Sequence, residues 1–358
     1  MKYELIISAA SPYSSKILAL MGYIEVDHRV RIQNGMTRYT VARRLTGQTM
    51  VPVLRKGRWA INDSTEIARY LIRDSPKPTL PPGEGTGLAW LLEDFADEWI
   101  TRWVIHSRWS HREDAREVSE LIGRELTGVV PVGSRAVGEQ AARFLRGRLK
   151  SWGVREENEA ALERSGARLL RALEDLLSSG PSYLFGFYPT VTDFAFYGPL
   201  IQYRRDPTGR QVLRGYPAVS RYLDRLDAMA SRPPAVKIDQ HQVRRNLEEL
   251  QPLLGEALGS YWPVLMENYR ALGDPKGVRE RSVQCLDGAS FVFGSTRYLG
   301  RRLSEWLELL DQAYQKGDRL FGEEGIRMER AMVGRIAELC EFEGGRELLR
   351  SYPHLGLH

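Results

Sequence analysis

The chain has 358 residues, 42% hydrophobic and 27% charged, the balance of a globular protein of two or three domains and unlike collagen, a coiled coil or a disordered chain. Its two cysteines, Cys285 and Cys340, exclude a disulfide framework, a Cys-x-x-Cys redox pair and a cysteine zinc site, and suit a reducing, cytoplasmic setting. The net charge is +5, yet residues 1–78 hold 13 basic and 6 acidic residues, so the basic excess sits in that first segment. An acidic Glu4 before the first short apolar run argues against a secretory signal, and no run approaches the roughly 20 apolar residues of a membrane span. The basic residues, among them Lys16, Arg29, Arg31, Arg38, Arg43, Arg44, Arg55, Lys56 and Arg58, are scattered without interleaved aromatics, which argues against nucleic acid as a partner. An anionic small-molecule site and ordinary solubility remain.

In chain order, residues 3–8 read as a strand, and Ala9-Ala10-Ser11-Pro12 leads into a helix through Ile17, Leu18 and Met21 that stops at Gly22. A second strand spans 24–31 and a short helix 36–45. Val51-Pro52-Val53-Leu54 and Trp59-Ala60-Ile61 bracket a hairpin turn, and Asp63 or Ser64 caps a further helix. The order βαβ, α, ββα is that of a small mixed sheet. Pro52 is unusual at the head of a central strand because it removes a ladder donor; a cis peptide in a functional turn is one explanation and a proline in an ordinary turn the other. Residues 75–86, rich in proline and glycine, read as a linker.

After the linker the chain is helical, with amphipathic segments at 88–107, before Gly153, at 156–178, from about 189 and at 217–231. Thr190-Val191-Thr192-Asp193 has the form of a capping box and reads as structural. Polar helices at 241–272 precede Asp287-Gly288, a hairpin signal between two apolar runs, and helices at 297–320 and 323–346 close the chain. Trp99, Trp103 and His106 fall at i, i+4 and i+7, one helix face, with Asp94 and Asp97 nearby. That face is either an aromatic core stripe or a pocket in which His106 and Arg108 polarise a leaving group or oxyanion. His106 and His111 are five apart with no completing carboxylate, so no metal site is expected.

The motif around Ser11-Pro12-Tyr13-Ser14, the run Met50-Val51-Pro52-Val53-Leu54 and Asn62-Asp63-Ser64 at a helix start resemble the thioredoxin-like half of the glutathione S-transferases. The linker and the helical segment with its Thr190–Asp193 box resemble that family's all-helical half, and the likeness covers residues 1 to about 232. The stretches Leu92-Glu93-Asp94-Phe95-Ala96-Asp97-Glu98-Trp99 and His106-Ser107-Arg108-Trp109, with the long extension, are similar to a serine-type, bacterial branch of that superfamily. The implied fold is an α/β thioredoxin-like domain over 1–78, an all-α domain over 87–232, and a mostly helical extension over 235–358 containing a β-hairpin.

The resemblance implies a cytoplasmic homodimer that uses glutathione as co-substrate against an electrophilic small molecule. A free thiol has a pKa near 8.5, so its anion must be stabilised, and lowering the pKa by two units takes about 2.7 kcal/mol. Ser11 matches the position where serine or cysteine enzymes of the family place the group that does this; Ser14 is a second candidate and Ser8 a lesser one. Ile6-Ile7-Ser8 stands where tyrosine-type enzymes carry a phenol, and a serine at 11 disfavours thiol exchange. Pro12 and Tyr13 lie beside the implied glutathione site. A cis Pro52 would turn the Val51 backbone toward the cysteinyl backbone of glutathione, and Asp63 and Ser64 would hold its γ-glutamyl end. Met50 replaces a basic residue common in the family, so Gln48, Arg43 or Arg44 is left for the glycine carboxylate. Trp99, Trp103, His106 and Arg108 are the candidate second-substrate pocket. Two rivals differ: a non-catalytic scaffold, which would not bind glutathione, and a glutathione-dependent lyase or isomerase, which product analysis would separate.

Overall fold

The structure, a computed structural model, describes residues 2–81, 85–128, 132–231, 249–274, 276–277, 279–315, 334–341 and 343–352. The chain opens with β1 (Tyr3–Ile7), α1 (Pro12–Tyr23), β2 (His28–Ile32), α2 (Gly35–Thr37), a π-helical segment Arg38–Arg43, α3 (Arg44–Thr46), β3 (Val53–Lys56), β4 (Trp59–Asn62) and α4 (Ser64–Arg73). The βαβ, α, ββα order is the expected one. Next come α5 (Gly85–Phe95), a π-helical segment Ala96–Ile100, α6 (Thr101–Ser110), α7 (Arg112–Thr127), α8 (Ser134–Leu149), α9 (Glu159–Ser178), α10 (Val191–Arg205), α11 (Pro207–Leu213) and α12 (Pro217–Ser231). The extension adds α13 (Gln251–Glu256), a π-helical segment Ala257–Tyr261, α14 (Trp262–Leu272), the hairpin of β5 (Glu280–Gln284) and β6 (Ser290–Gly294), and α15 (Arg297–Gln315). Residues 241–248 and 316–333, where the sequence suggests helix, lie outside the described residues. Within the helix expected over 323–346, residues 334–337 are α-helical and lead into a 3-10 turn, Glu338–Glu341, and α16 (Glu343–Leu349) is the last helix.

Contacts divide the chain into two compact units, residues 1–79, 104–148 and 193–236 in one and residues 80–103, 149–192 and 237–358 in the other. They interleave along the chain, and the extension packs with residues 80–103 and 149–192.

In the first unit the sheet order is β2-β1-β3-β4, with β1 and β2 parallel and the other pairs antiparallel. A parallel pair needs a crossover, and α1 supplies it. Ile6 opposes Val53 across the sheet, and these two pack with Ala42 of the π-helical segment; Leu5 and Leu54, the neighbouring pair, point to the opposite face. All five are fully buried, each worth about 1.5–3 kcal/mol where a whole Leu, Ile or Val side chain leaves water. Glycine permits one close approach: a Cβ on Gly22, at the end of α1, would lie 2.0 Å from the Met229 carbonyl of α12.

In the second unit the extension is sewn to α5 and α9 by buried polar groups. Tyr261 donates its hydroxyl to Asp94 at 2.7 Å, and the Arg302 Nε donates to the same carboxylate at 2.5 Å. Glu256 accepts from Ser165 at 2.6 Å and from Arg168 at 2.7 Å. The hairpin is fixed by Asn158, whose side chain donates to the Val292 carbonyl at 2.6 Å and accepts from the Val292 N–H at 2.7 Å, as a neighbouring strand would. Its Phe291 ring sits against Gly153, where φ is +89° and a Cβ would come within 2.4 Å of the ring. The hairpin loop is longer than the two-residue turn that Asp-Gly suggests: β5 ends at Gln284, and Asp287 pairs with Arg164 and Arg168 at 2.7 and 2.8 Å.

Candidate functional site

Strand register gathers the candidate residues at one end of the sheet. Ile6 pairs with Val53 and Val53 with Asn62, so the segment after β1, the segment before β3 and the segment after β4 all leave at the same end. Those segments carry Ser8–Ser11, Val51-Pro52 and Asp63-Ser64. Two helices, α1 and α4, also begin there, and helix N-termini present unsatisfied N–H groups and a positive dipole end.

Ser11 is the N-cap of α1, with Pro12 at the first helical position, an arrangement both residue types favour. Its Oγ accepts from the Ser14 N–H at 3.2 Å. That bond uses a lone pair and leaves the hydroxyl proton without an acceptor among the described residues. Ser14 is 1% exposed, and its Oγ accepts from the Ser8 N–H at 3.3 Å, so it props the loop from inside. Pro12 is buried and Tyr13 half-buried.

The loop ahead of Ser11 has its backbone polar groups satisfied, which holds it in one conformation. The Ser11 N–H donates to the Ser8 carbonyl at 3.1 Å, and the Ala10 N–H to Ser8 Oγ at 3.3 Å. Glu125 of α7 accepts from Ser8 Oγ and from the Ala9 N–H, both at 2.6 Å. Gln202 of α10 donates to the Ala9 carbonyl at 2.8 Å and to Ser15 Oγ at 2.9 Å. Arg108 donates to the Ala10 carbonyl at 3.0 Å, and Asp206 holds that guanidinium at 2.7 Å. Burial pushes the Asp206 carboxyl up, and the adjoining Arg108 offsets part of that. One turn before Gln202, Gly198 lets α10 approach the first turn of α1, since a Cβ there would meet the Pro12 carbonyl at 2.6 Å.

The Val51–Pro52 peptide is cis, as the placement of Pro52 suggests. Asp63 has φ +80°, a sparsely populated conformation for a residue with a side chain, and it caps α4. Its Oδ1 accepts from the Thr65 and Glu66 N–H groups at 3.0 and 3.5 Å, leaving Oδ2 without a partner among the described residues. Ser64 is buried beside it. Gln48, Arg43 and Arg44 are exposed, as is Met50.

Trp99 and Trp103 lie in the second unit, where Trp99 donates to Ser165 at 2.7 Å and Trp103 packs against Gly166. His106 and Arg108 lie in the first, His106 with Ser110 Oγ at 3.5 Å and Arg108 gripping the Ser11 loop. All four are 1–3% exposed, the placement of the aromatic core stripe that shares their spacing. Among the described residues no cluster could hold a metal ion and no helix is long and apolar enough to cross a membrane. Burial pushes the Cys285 thiol up to about 12, so it is not a ready nucleophile.

The sequence reading missed Glu125, Gln202 and Asp206. Glu125 carried a signal: it continues the stripe Val118, Ile122 at i+7, a carboxylate where an amphipathic helix places apolar groups. Gln202 sits one turn beyond Gly198 on α10, and Asp206 just past the end of that helix as the N-cap of α11, with no such mark.

Two family models match the chain: glutathione S-transferase, N-terminal domain, over residues 5–79, and glutathione S-transferase, C-terminal domain, over residues 156–225. Similar solved structures include a glutathione S-transferase-like protein from Pseudomonas syringae, 19% identical over 65% of this chain and 69% of that one, with a TM-score of 0.43. Others are a beta-etherase from Sphingobium sp. strain SYK-6 (18% identity, 64% and 96% covered, TM-score 0.45) and a glutathione S-transferase from Methylobacterium radiotolerans in complex with glutathione sulfonate (18%, 67% and 98%, 0.42). No curated protein matches the sequence. With both domain models matched in order, and with a β2-β1-β3-β4 sheet followed by helices, the chain belongs to the glutathione S-transferase superfamily.

Proposed function

We propose that the protein is a glutathione transferase in which Ser11 stabilises the thiolate of bound glutathione for attack on an electrophilic carbon. The observation that carries this is the unspent Ser11 hydroxyl proton at the N-terminus of α1, on a loop whose other polar groups are engaged. A hydrogen bond to a charged group contributes about 1.5–3 kcal/mol and a helix N-terminus about 0.3–1 kcal/mol, together the size needed to lower a thiol pKa by about two units. Asp63 Oδ2 suits the γ-glutamyl ammonium, and the Ser64 hydroxyl and N–H at the start of α4 suit its carboxylate. Glutathione supplies the nucleophile: its sulfur forms a bond to carbon, and either a leaving group departs with the electron pair or the adjacent carbon takes a proton.

Ser11→Ala should raise the apparent pKa of the bound thiol by about one to two units and lower turnover at neutral pH about 10- to 100-fold. Because alanine also loses the cap, Ser11→Gly, a tolerable cap without a hydroxyl, should show the same thiol shift with little loss of stability. An unchanged thiol pKa in both, read by thiolate absorbance against pH, would remove Ser11 from the chemistry.

A further inference from the structure

We propose that Glu125 is a positioning residue for Ser11, holding the serine hydroxyl in its thiolate-stabilising place from a helix pair that neither family model covers. The matched segments end at residue 79 and resume at 156, so α7 and α8 lie between them. Yet Glu125, near the end of α7, is the only carboxylate among the described residues that hydrogen-bonds the β1–α1 loop, and it does so with both oxygens at 2.6 Å.

The path from Glu125 to Ser11 is short and made of hydrogen bonds. Ser8 donates its hydroxyl to Glu125, the Ser8 N–H donates to Ser14 Oγ, and the Ser14 N–H donates to Ser11 Oγ. The Ser11 N–H returns to the Ser8 carbonyl at 3.1 Å, which closes the ring. Fixing Ser8 therefore fixes the oxygen whose proton would face the sulfur, and reactive geometry is sensitive to misplacements of about 1 Å.

The helix that carries Glu125 is itself held firmly. A Cβ on Gly123 would lie 2.0 Å from the Ser134 carbonyl and one on Gly138 2.1 Å from the Ser119 carbonyl, so α7 and α8 cross with their backbones in contact at two glycines. At the other end of α7, Asp114 accepts from the Thr208 N–H at 3.1 Å. Glu125 is 8% exposed, and burial pushes its carboxyl up while Ser8 and Ala9 pull it back, so both donors help keep the carboxylate charged.

This inference rests on the glutathione reading above, and the test separates the two. Full-length wild type, Glu125→Ala, Glu125→Gln and Ser8→Ala are titrated with glutathione by calorimetry, and the bound thiol is then titrated with pH by its thiolate absorbance. In Glu125→Ala the glutathione Kd should stay within about threefold of wild type. The apparent thiol pKa should rise by about one unit, and kcat should fall about tenfold with KM nearly unchanged. Glu125→Gln, which keeps one acceptor oxygen, should fall between, and Ser8→Ala, which deletes one of the two donors to Glu125 together with the acceptor of the Ala10 N–H and leaves the helix pair intact, should move in the same direction even where Glu125→Ala folds poorly. A thiol pKa unchanged in the folded Glu125→Gln and Ser8→Ala variants overturns the positioning role alone. A wild type that binds no glutathione overturns the glutathione reading, and this inference with it.

Discussion

Arg302→Met is expected to lower the unfolding free energy by about 3–5 kcal/mol, the range for removing one partner of a buried ion pair. Arg302 is 4% exposed, and its guanidinium meets Asp94 at 2.5 Å, Glu305 at 2.8 Å and Glu93 at 3.6 Å. Without it, Asp94 of α5 keeps the Tyr261 hydroxyl but loses its cationic partner. Adding Asp94→Asn should make the double variant clearly less destabilised than the sum of the single losses, because the uncompensated charge goes too. Urea unfolding of the three variants measures this. The result bears on the extension, since a loosely attached appendage would leave the stability of the Arg302→Met protein near that of wild type.

Glu98→Gln should be more stable than wild type at pH 8, by as much as about 3 kcal/mol, and close to it at pH 4.5. Burial pushes the Glu98 carboxyl up to about 7, with the Asp94 charge adding to the rise and Arg102, the Trp152 indole and Arg302 opposing it. A carboxyl whose folded pKa is raised gives stability that is full below its ordinary value and is lost as pH rises through the folded value. The window is therefore pH 4.5 to about 7, and glutamine, the neutral isostere, does not pass through it. Unfolding free energies of both proteins at the two pH values check the sign; a less stable Glu98→Gln at pH 8 would mean that the Glu98 charge is well compensated by Arg102 at 3.5 Å.

What could be read from the sequence is what short-range chemistry writes. Ser11 before Pro12, Pro52 at a strand head and Asp63 before Ser64 each announce a local backbone state, and the structure gives a capped helix, a cis peptide and a second capped helix at those places. The grip of Glu125, Arg108 and Gln202 on residues 8–10 joins parts of the chain some 100 to 190 residues apart, and periodicity carries no record of a partner so distant. The Trp99, Trp103 and His106 stripe shows the same limit: spacing shows that three side chains share a face, while Ser165 and Gly166, which meet the two tryptophans, appear only on folding. The hairpin at 280–294 was legible, but not its longer loop, since Asp287 turns to Arg164 and Arg168.

The end of the sheet bearing Ser11, Val51 and Ser64 is the proposed glutathione site. Amide NMR of the full-length wild type during a glutathione titration tests it most directly. Saturable shifts centred on Ser11, Val51 and Ser64, with half-saturation at or below millimolar ligand, are the predicted result; no shifts at these three residues at millimolar glutathione would contradict it.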